Sequence, residues 1–325
     1  MFYAPPPPRG REDPDGPARK AGDGSPGVSG PWVLLSGACG TELERRGAAT
    51  PLPLWSAAAL LDAPDLVRAV HADHVRAGAD VVTANTFRTL RRTLARAGRD
   101  PREARRLVRT AVALAREAVA AEARGRRVLV AGSVAPLEDC FRPDLVPDDA
   151  TLRVEHGLRV GDLVAAGADL ALVETMNTVR EAVAALGACA AARLPAAVSF
   201  TCAPGARVLS GEPLADAVAA VAPWRPLAVL VNCCPVDVAT EAVGALVAAA
   251  GGVPVGAYAN GLGRPDDARG WCFEPGCGAD VAAYRAAAAR WLDLGARWVG
   301  GCCGTTPAYV EALHALLEAR LARGG

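Results

Sequence analysis

Two vicinal cysteine pairs, Cys233-Cys234 and Cys302-Cys303, stand out from the scattered Cys39, Cys140, Cys189, Cys202, Cys272 and Cys277. The first pair lies in Val231-Asn232-Cys233-Cys234-Pro235, the second in Gly300-Gly301-Cys302-Cys303-Gly304-Thr305-Thr306. Thiolates suit Zn²⁺, which is borderline soft and tetrahedral; three leave a fourth position open for chemistry, whereas four close the site. Glycines beside Cys302 and Cys303 let the backbone bend until two adjacent residues face one ion. Alternation along a strand end turns Cys234 away from the side that Cys233 faces, which favours Cys233, Cys302 and Cys303 as ligands. The competing account treats cysteines as small buried hydrophobes. It suits Cys189 and Cys202; two pairs that each close an apolar run favour the metal.

These pairs need elements to bring them together. Eight apolar runs read as strands: Val33–Ser36, Asp80–Thr83, Val128–Ala131, Leu170–Glu174, Ala197–Thr201, Ala228–Asn232, Val255–Tyr258 and Trp298–Gly301. Most are apolar throughout, as parallel strands covered on both faces must be. Helical stretches such as Ala104–Ala123 and Ala282–Leu294 separate them. Gly78-Ala79-Asp80, Gly167-Ala168-Asp169 and Gly295-Ala296-Arg297 read as helix C-caps leading into strands. Repeats of this kind predict an α/β fold, a (βα)₈ TIM barrel over 31–325. A doubly wound open sheet is the alternative, weakened because no Gly-x-Gly-x-x-Gly follows the first strand. In a barrel the sixth and eighth strand ends share one rim, so the two cysteine pairs can meet.

Bulk properties bound the rest. The 325 residues are 51% hydrophobic but only 5% aromatic, so small aliphatics build the core. Lys+Arg and Asp+Glu are equal at 35 each, which gives no reason to expect nucleic acid or an anionic membrane as partner. No apolar run reaches the roughly 18 residues of a membrane span and no signal peptide opens the chain, so a soluble, cytoplasmic protein is expected. In that compartment disulfides are disfavoured, and metal or catalytic roles for cysteine gain weight. Residues 1–30, rich in Pro, Gly and charge, read as a disordered tail.

The chain after the tail resembles the homocysteine S-methyltransferases. The specific pieces are GGCCGTTP (Gly300–Pro307) with VNC (Val231–Cys233) upstream. Weaker ones fall in the family's order: CGTELERRG (Cys39–Gly47), AGADVVTANTF (Ala77–Phe87), VETMNTVREA (Val173–Ala182), and VSFTC followed by LSGEPLADAV (Val198–Val218). The resemblance implies a zinc-dependent (βα)₈ enzyme of methionine biosynthesis, with zinc ligands at Cys233, Cys302 and Cys303. It also implies a substrate-binding set of Glu174, Ser36, Gly37 and Asn85, with Glu174 holding the amino acid's ammonium group. Taken alone, Glu174 equally fits a rim salt bridge. One departure matters: the family usually has Asp-Gly where this chain has Ser36-Gly37. A charge-assisted bond is lost there, worth on the order of 1.5–3 kcal/mol when desolvated. Cys39 stands where the family commonly has Met and receives no role.

The implied partners are small molecules, homocysteine and a methyl donor. A single barrel without an Asp-x-His-x-x-Gly motif favours a small onium donor such as S-methylmethionine over methylcobalamin; betaine also fits. Such a cation would welcome aromatic walls, for which Trp55, Phe87, Tyr258 and Trp271 are placed near strand ends. No general base is required of His71, His74, His156 or His314, which fall in helical stretches with surface or packing roles. Other readings remain: a zinc-holding or redox-sensing barrel without catalysis, a four-cysteine structural site including Cys234, or methylation of another thiol. Cys272 and Cys277 read as a surface pair in the loop after strand seven.

Overall fold

The structure, a computed structural model, describes residues 30–324 except 267, 269, 274 and 275. The segment read as a disordered tail, apart from Gly30, lies outside the described residues. Eight strands, β1 (Val33–Leu34), β2 (Val81–Ala84), β3 (Leu129–Val134), β4 (Leu170–Met176), β5 (Ala196–Phe200), β6 (Val229–Asn232), β7 (Val255–Tyr258) and β8 (Trp298–Val299), form one parallel sheet in the order β1-β8-β7-β6-β5-β4-β3-β2. Its two ends meet through a parallel bridge between Leu35 and Val81. The Ser36 amide donates to the Val81 carbonyl, and the Asp80 amide to the Leu34 carbonyl, each at 2.8 Å. The sheet is therefore a barrel, as the repeat pattern predicts.

Eight helices follow the strands in turn: α1 (Pro64–Arg76), α2 (Glu103–Glu122), α3 (Asp149–Ala166), α4 (Val179–Ala191), α5 (Leu214–Val221), α6 (Val236–Ala249), α7 (Val281–Leu294) and α8 (Pro307–Gly324). In α2 the buried Ala104, Leu107, Val108, Ala111, Ala115 and Ala118 recur every three or four residues, which makes one apolar stripe for the sheet. Asp148 and Asp280 cap α3 and α7 by accepting from the Thr151 and Ala283 amides. Gly167 and Gly295 end the same helices in the left-handed conformation, as the Gly-Ala-polar pattern predicts. None of the described helices is long and apolar enough to cross a membrane.

The core has two layers. Leu35, Val81, Leu129, Leu172, Leu230 and Trp298 fill the barrel interior, and a larger cluster lies between sheet and helices. Each fully buried Val or Leu contributes about 1.5–3 kcal/mol.

The first and last strands are shorter than expected. The Gly300 carbonyl, which would extend β8, instead accepts from the Tyr284 hydroxyl at 2.7 Å. β4 is longer, with a register shift between Val173 and Met176 and a left-handed Thr175 (φ 59°). This bulge re-aims Glu174 at the C-terminal rim. Behind that rim, buried Arg159 of α3 donates to the carbonyls of Thr86 and Thr89 and to that of Ser133 at 2.9 Å, tying the loop after β2 to the end of β3.

Candidate metal centre and active-site cavity

β6 ends at Asn232, and Cys233 then takes the left-handed conformation (φ 54°). This turn, rather than strand pleating, separates the two cysteines of the pair. Cys234 is 2% exposed and packs into the apolar layer behind the sheet. After β8, Gly304 has φ 74°, and a Cβ there would run into the Leu262 carbonyl. Only glycine lets the Cys302-Cys303 turn close so tightly. As a result the sulfurs of Cys233, Cys302 and Cys303 all lie within 4.8 Å of one another. The arrangement suits one cation, and Cys234 is not part of it.

Hydrogen bonds link the three thiols. Hydrogen bonds from Cys233 and then Cys303 hold the Cys302 thiol well below its usual range. The same bond to Cys302 is the main reason that Cys233 is pushed well up. One thiolate is thus favoured already, and a cation would favour the rest. Asn232, fully buried, supports this corner. Its Oδ1 accepts from the Thr175 amide (3.0 Å) and the Ser199 hydroxyl (2.7 Å), and its Nδ2 donates to Thr175 Oγ1 (2.8 Å). That leaves Nδ2 3.8 Å from the Cys302 sulfur.

The sulfurs open onto a cavity of about 140 Å³ at the C-terminal rim. Ser36, Gly37, Asn85 and Glu174 line it with the three cysteines, and so do Trp55, Phe87, Tyr258 and Trp271. Ser36 Oγ accepts from the Thr83 amide at 3.1 Å. Gly37 packs on His74: a Cβ there would stand 2.7 Å from His74 Cε1. Asn85 Nδ2 donates to the Ser56 carbonyl at 2.8 Å. Glu174 is 8% exposed and accepts from the Tyr258 hydroxyl at 3.3 Å. Burial, then the charge on nearby Cys302, pushes its carboxyl up to about 8, against hydrogen bonds from Ser133 and Tyr258. Glu174 has no cationic partner in a salt bridge among the described residues, unlike rim carboxylates such as Glu138 with Arg96.

A family model described as homocysteine S-methyltransferase matches residues 33–317. The chain belongs to the homocysteine S-methyltransferase family. The homocysteine S-methyltransferase of Escherichia coli is 35% identical over 298 residues, covering 87% of this chain and 94% of that one. A selenocysteine Se-methyltransferase of Brassica oleracea is 32% identical over 317 residues, covering 90% of each. Among solved structures, the metallated form of the E. coli homocysteine methyltransferase MmuM superposes with a TM-score of 0.76 at 32% identity, covering 87% of this chain and 96% of that one. Its apo form superposes at 0.68.

The remaining cysteines and histidines lie outside the cluster of three sulfurs. Cys189 and Cys202 are buried, and burial pushes their thiols up to about 12. Cys39 lines the cavity, also pushed up to about 12 by burial. Cys272 and Cys277 are half-buried. His71, His74 and His156 are buried, so packing rather than surface roles apply to them. Sequence reasoning assigned nothing to Arg88, Cys140 or Phe141, which line the cavity, or to Asn232, which braces it. A polar residue closing the apolar run Ala228–Asn232 was the available signal for Asn232. For Arg88 it was a cation directly after an aromatic beyond a strand end.

Proposed function

We propose that this chain is a zinc-dependent thiol methyltransferase that methylates homocysteine to methionine, with a small onium donor, S-methylmethionine favoured. The observation that carries the proposal is the cluster of three cysteine sulfurs, within 4.8 Å of one another, at the wall of the cavity on the C-terminal rim. Three thiolates and an open fourth position are the pattern of a catalytic zinc site. Zn²⁺ held by Cys233, Cys302 and Cys303 would lower the pKa of an added thiol, so that its sulfur would be nucleophilic at neutral pH. In the reaction the acceptor thiol loses its proton to solvent and its sulfur forms a bond to the methyl carbon. The donor's sulfur–methyl bond breaks, its electron pair stays on the donor sulfur, and a neutral thioether leaves.

The chain's own residues supply position and environment. Glu174 receives the acceptor's ammonium group, which compensates the carboxylate that burial otherwise disfavours. Ser36, Gly37 and Asn85 shape the wall beside it. Trp55, Phe87, Tyr258 and Trp271 offer ring faces to a sulfonium or ammonium donor. Holding both reactants in one small cavity supplies much of the rate by orientation. A reducing, cytoplasmic setting keeps the three thiols available.

Donor profiling tests the reading. S-methylmethionine, S-adenosylmethionine and betaine are each offered with homocysteine, and separately with selenocysteine, to the zinc-loaded protein. Methionine formation fastest with S-methylmethionine is expected. No methylated product from homocysteine with any donor would sink the reading for that thiol.

A further inference from the structure

Among the described residues lining the cavity, Glu174 is the one carboxylate and Arg88 the one cation. Arg88 follows β2 on the loop that begins at Asn85, with its guanidinium 5.5 Å from the centre of the Phe87 ring. No carboxylate among the described residues forms an ion pair with it, and its Nε is buried without a hydrogen-bond partner. A guanidinium in a largely apolar wall gives up hydration that only an anion or several acceptors restore. The neighbouring arginines behave differently. Arg91 pairs with Asp162, and Arg92 and Arg96 both pair with Glu138. Arg88 alone of this group faces the cavity.

We propose that Arg88 is a specificity-determining residue that binds the carboxylate of an α-amino-acid ligand in this cavity. The inference rests on the methyltransferase reading above and names the ligand class more narrowly. Arg88 lies beyond β2, Glu174 on β4, and the metal ligands beyond β6 and β8. An amino acid whose sulfur reaches the three cysteines can present its ammonium group to the β4 side and its carboxylate to the β2 side. One cation and one carboxylate on the same wall complement a zwitterion. With Ser36 in place of the family's acidic residue, Arg88 and Glu174 carry the whole charge match. A carboxylate could arrive on the acceptor or on the donor, since homocysteine and S-methylmethionine both bear one.

The test uses zinc-loaded full-length protein, as wild type, Arg88→Met and Arg88→Lys, with melting curves to confirm folding. Calorimetry measures binding of L-homocysteine and of its methyl ester. Kinetics compare S-methylmethionine with trimethylsulfonium, which lacks a carboxylate. Arg88→Met is expected to weaken carboxylate-bearing ligands roughly 10- to 100-fold and the uncharged partners little. Arg88→Lys should recover part of the loss, because it keeps the charge without the planar fork. A loss confined to homocysteine against its ester assigns the carboxylate to the acceptor; a loss confined to S-methylmethionine against trimethylsulfonium assigns it to the donor. Equal weakening of acid and ester, and of both sulfoniums, or no weakening at all, overturns the proposal. A wild type that binds homocysteine but methylates it with no donor overturns the functional reading instead.

Discussion

Replacing Glu174 by Gln should stabilise the metal-free protein in alkali while weakening homocysteine binding. The wild-type carboxyl is buried and pushed up to about 8, from an ordinary value of 4.5. Below pH 4.5 it is protonated in both the folded and the unfolded chain, and burial costs little. Between 4.5 and about 8 only the unfolded chain ionises, so folding loses stability as pH rises, and above 8 the loss is complete. At about 1.4 kcal/mol per tenfold change in proton activity, that interval is worth at most about 5 kcal/mol. Relaxation around the charge should reduce the observed value to about 2–3 kcal/mol. Gln is close to isosteric and can still accept from the Tyr258 hydroxyl, but it does not titrate. At about 2–4 °C per kcal/mol, the chelator-treated variant should melt several degrees above wild type at pH 9 and close to it at pH 5. The same variant, loaded with zinc, should bind homocysteine roughly 10- to 100-fold more weakly, through loss of a charge-assisted bond. Melting curves from pH 5 to 9 and calorimetry measure both effects. Coincident melting at every pH would refute the burial argument, and unchanged homocysteine affinity would refute the assignment of the ammonium group.

Other outcomes follow from neighbouring residues. Ser36→Asp places a carboxylate where the Thr83 amide already donates; it should lower the homocysteine KM about tenfold, and an unchanged or raised KM in steady-state assays would count against Ser36 lying beside the amino group. Cys234→Ala should leave zinc content by atomic absorption unchanged while costing about 1–2 kcal/mol of stability from lost packing; loss of the metal would restore the four-cysteine reading. Arg159→Met should cost about 1–3 kcal/mol in denaturant unfolding, because the Thr86, Thr89 and Ser133 carbonyls each lose a buried charged donor, while the Thr86 and Ser133 carbonyls keep the Thr89 and Thr86 hydroxyls; a cost under about 0.5 kcal/mol would show that the loop after β2 holds to β3 without it.

The legible parts of the sequence were those governed by local chemistry. The apolar run Val255–Tyr258 is a strand with the expected bounds, because both faces are covered. Gly167 and Gly295 marked helix ends, since the left-handed cap favours glycine. The meeting of Cys233 with Cys302 and Cys303 followed from placing two motifs on one rim. Less legible features depend on tertiary partners. The early end of β8 reflects where the Gly300 carbonyl goes, to the Tyr284 hydroxyl on the preceding helix α7. Cys234 was set aside for strand alternation, but a left-handed turn at Cys233 does the work, and nothing in Asn-Cys-Cys-Pro announces a non-glycine residue at positive φ. The isolation of Arg88 is invisible in a stretch dense with arginine, because only the fold decides which of them finds a carboxylate.

Metal content and methyl transfer measured on one sample, as a chelator withdraws zinc stepwise, test the central claim most directly. About one zinc per chain is expected in the active protein, with activity falling in proportion to zinc and returning when zinc is restored, and neither metal nor activity in Cys302→Ala. Full methylation of homocysteine by metal-free protein or by Cys302→Ala would contradict it.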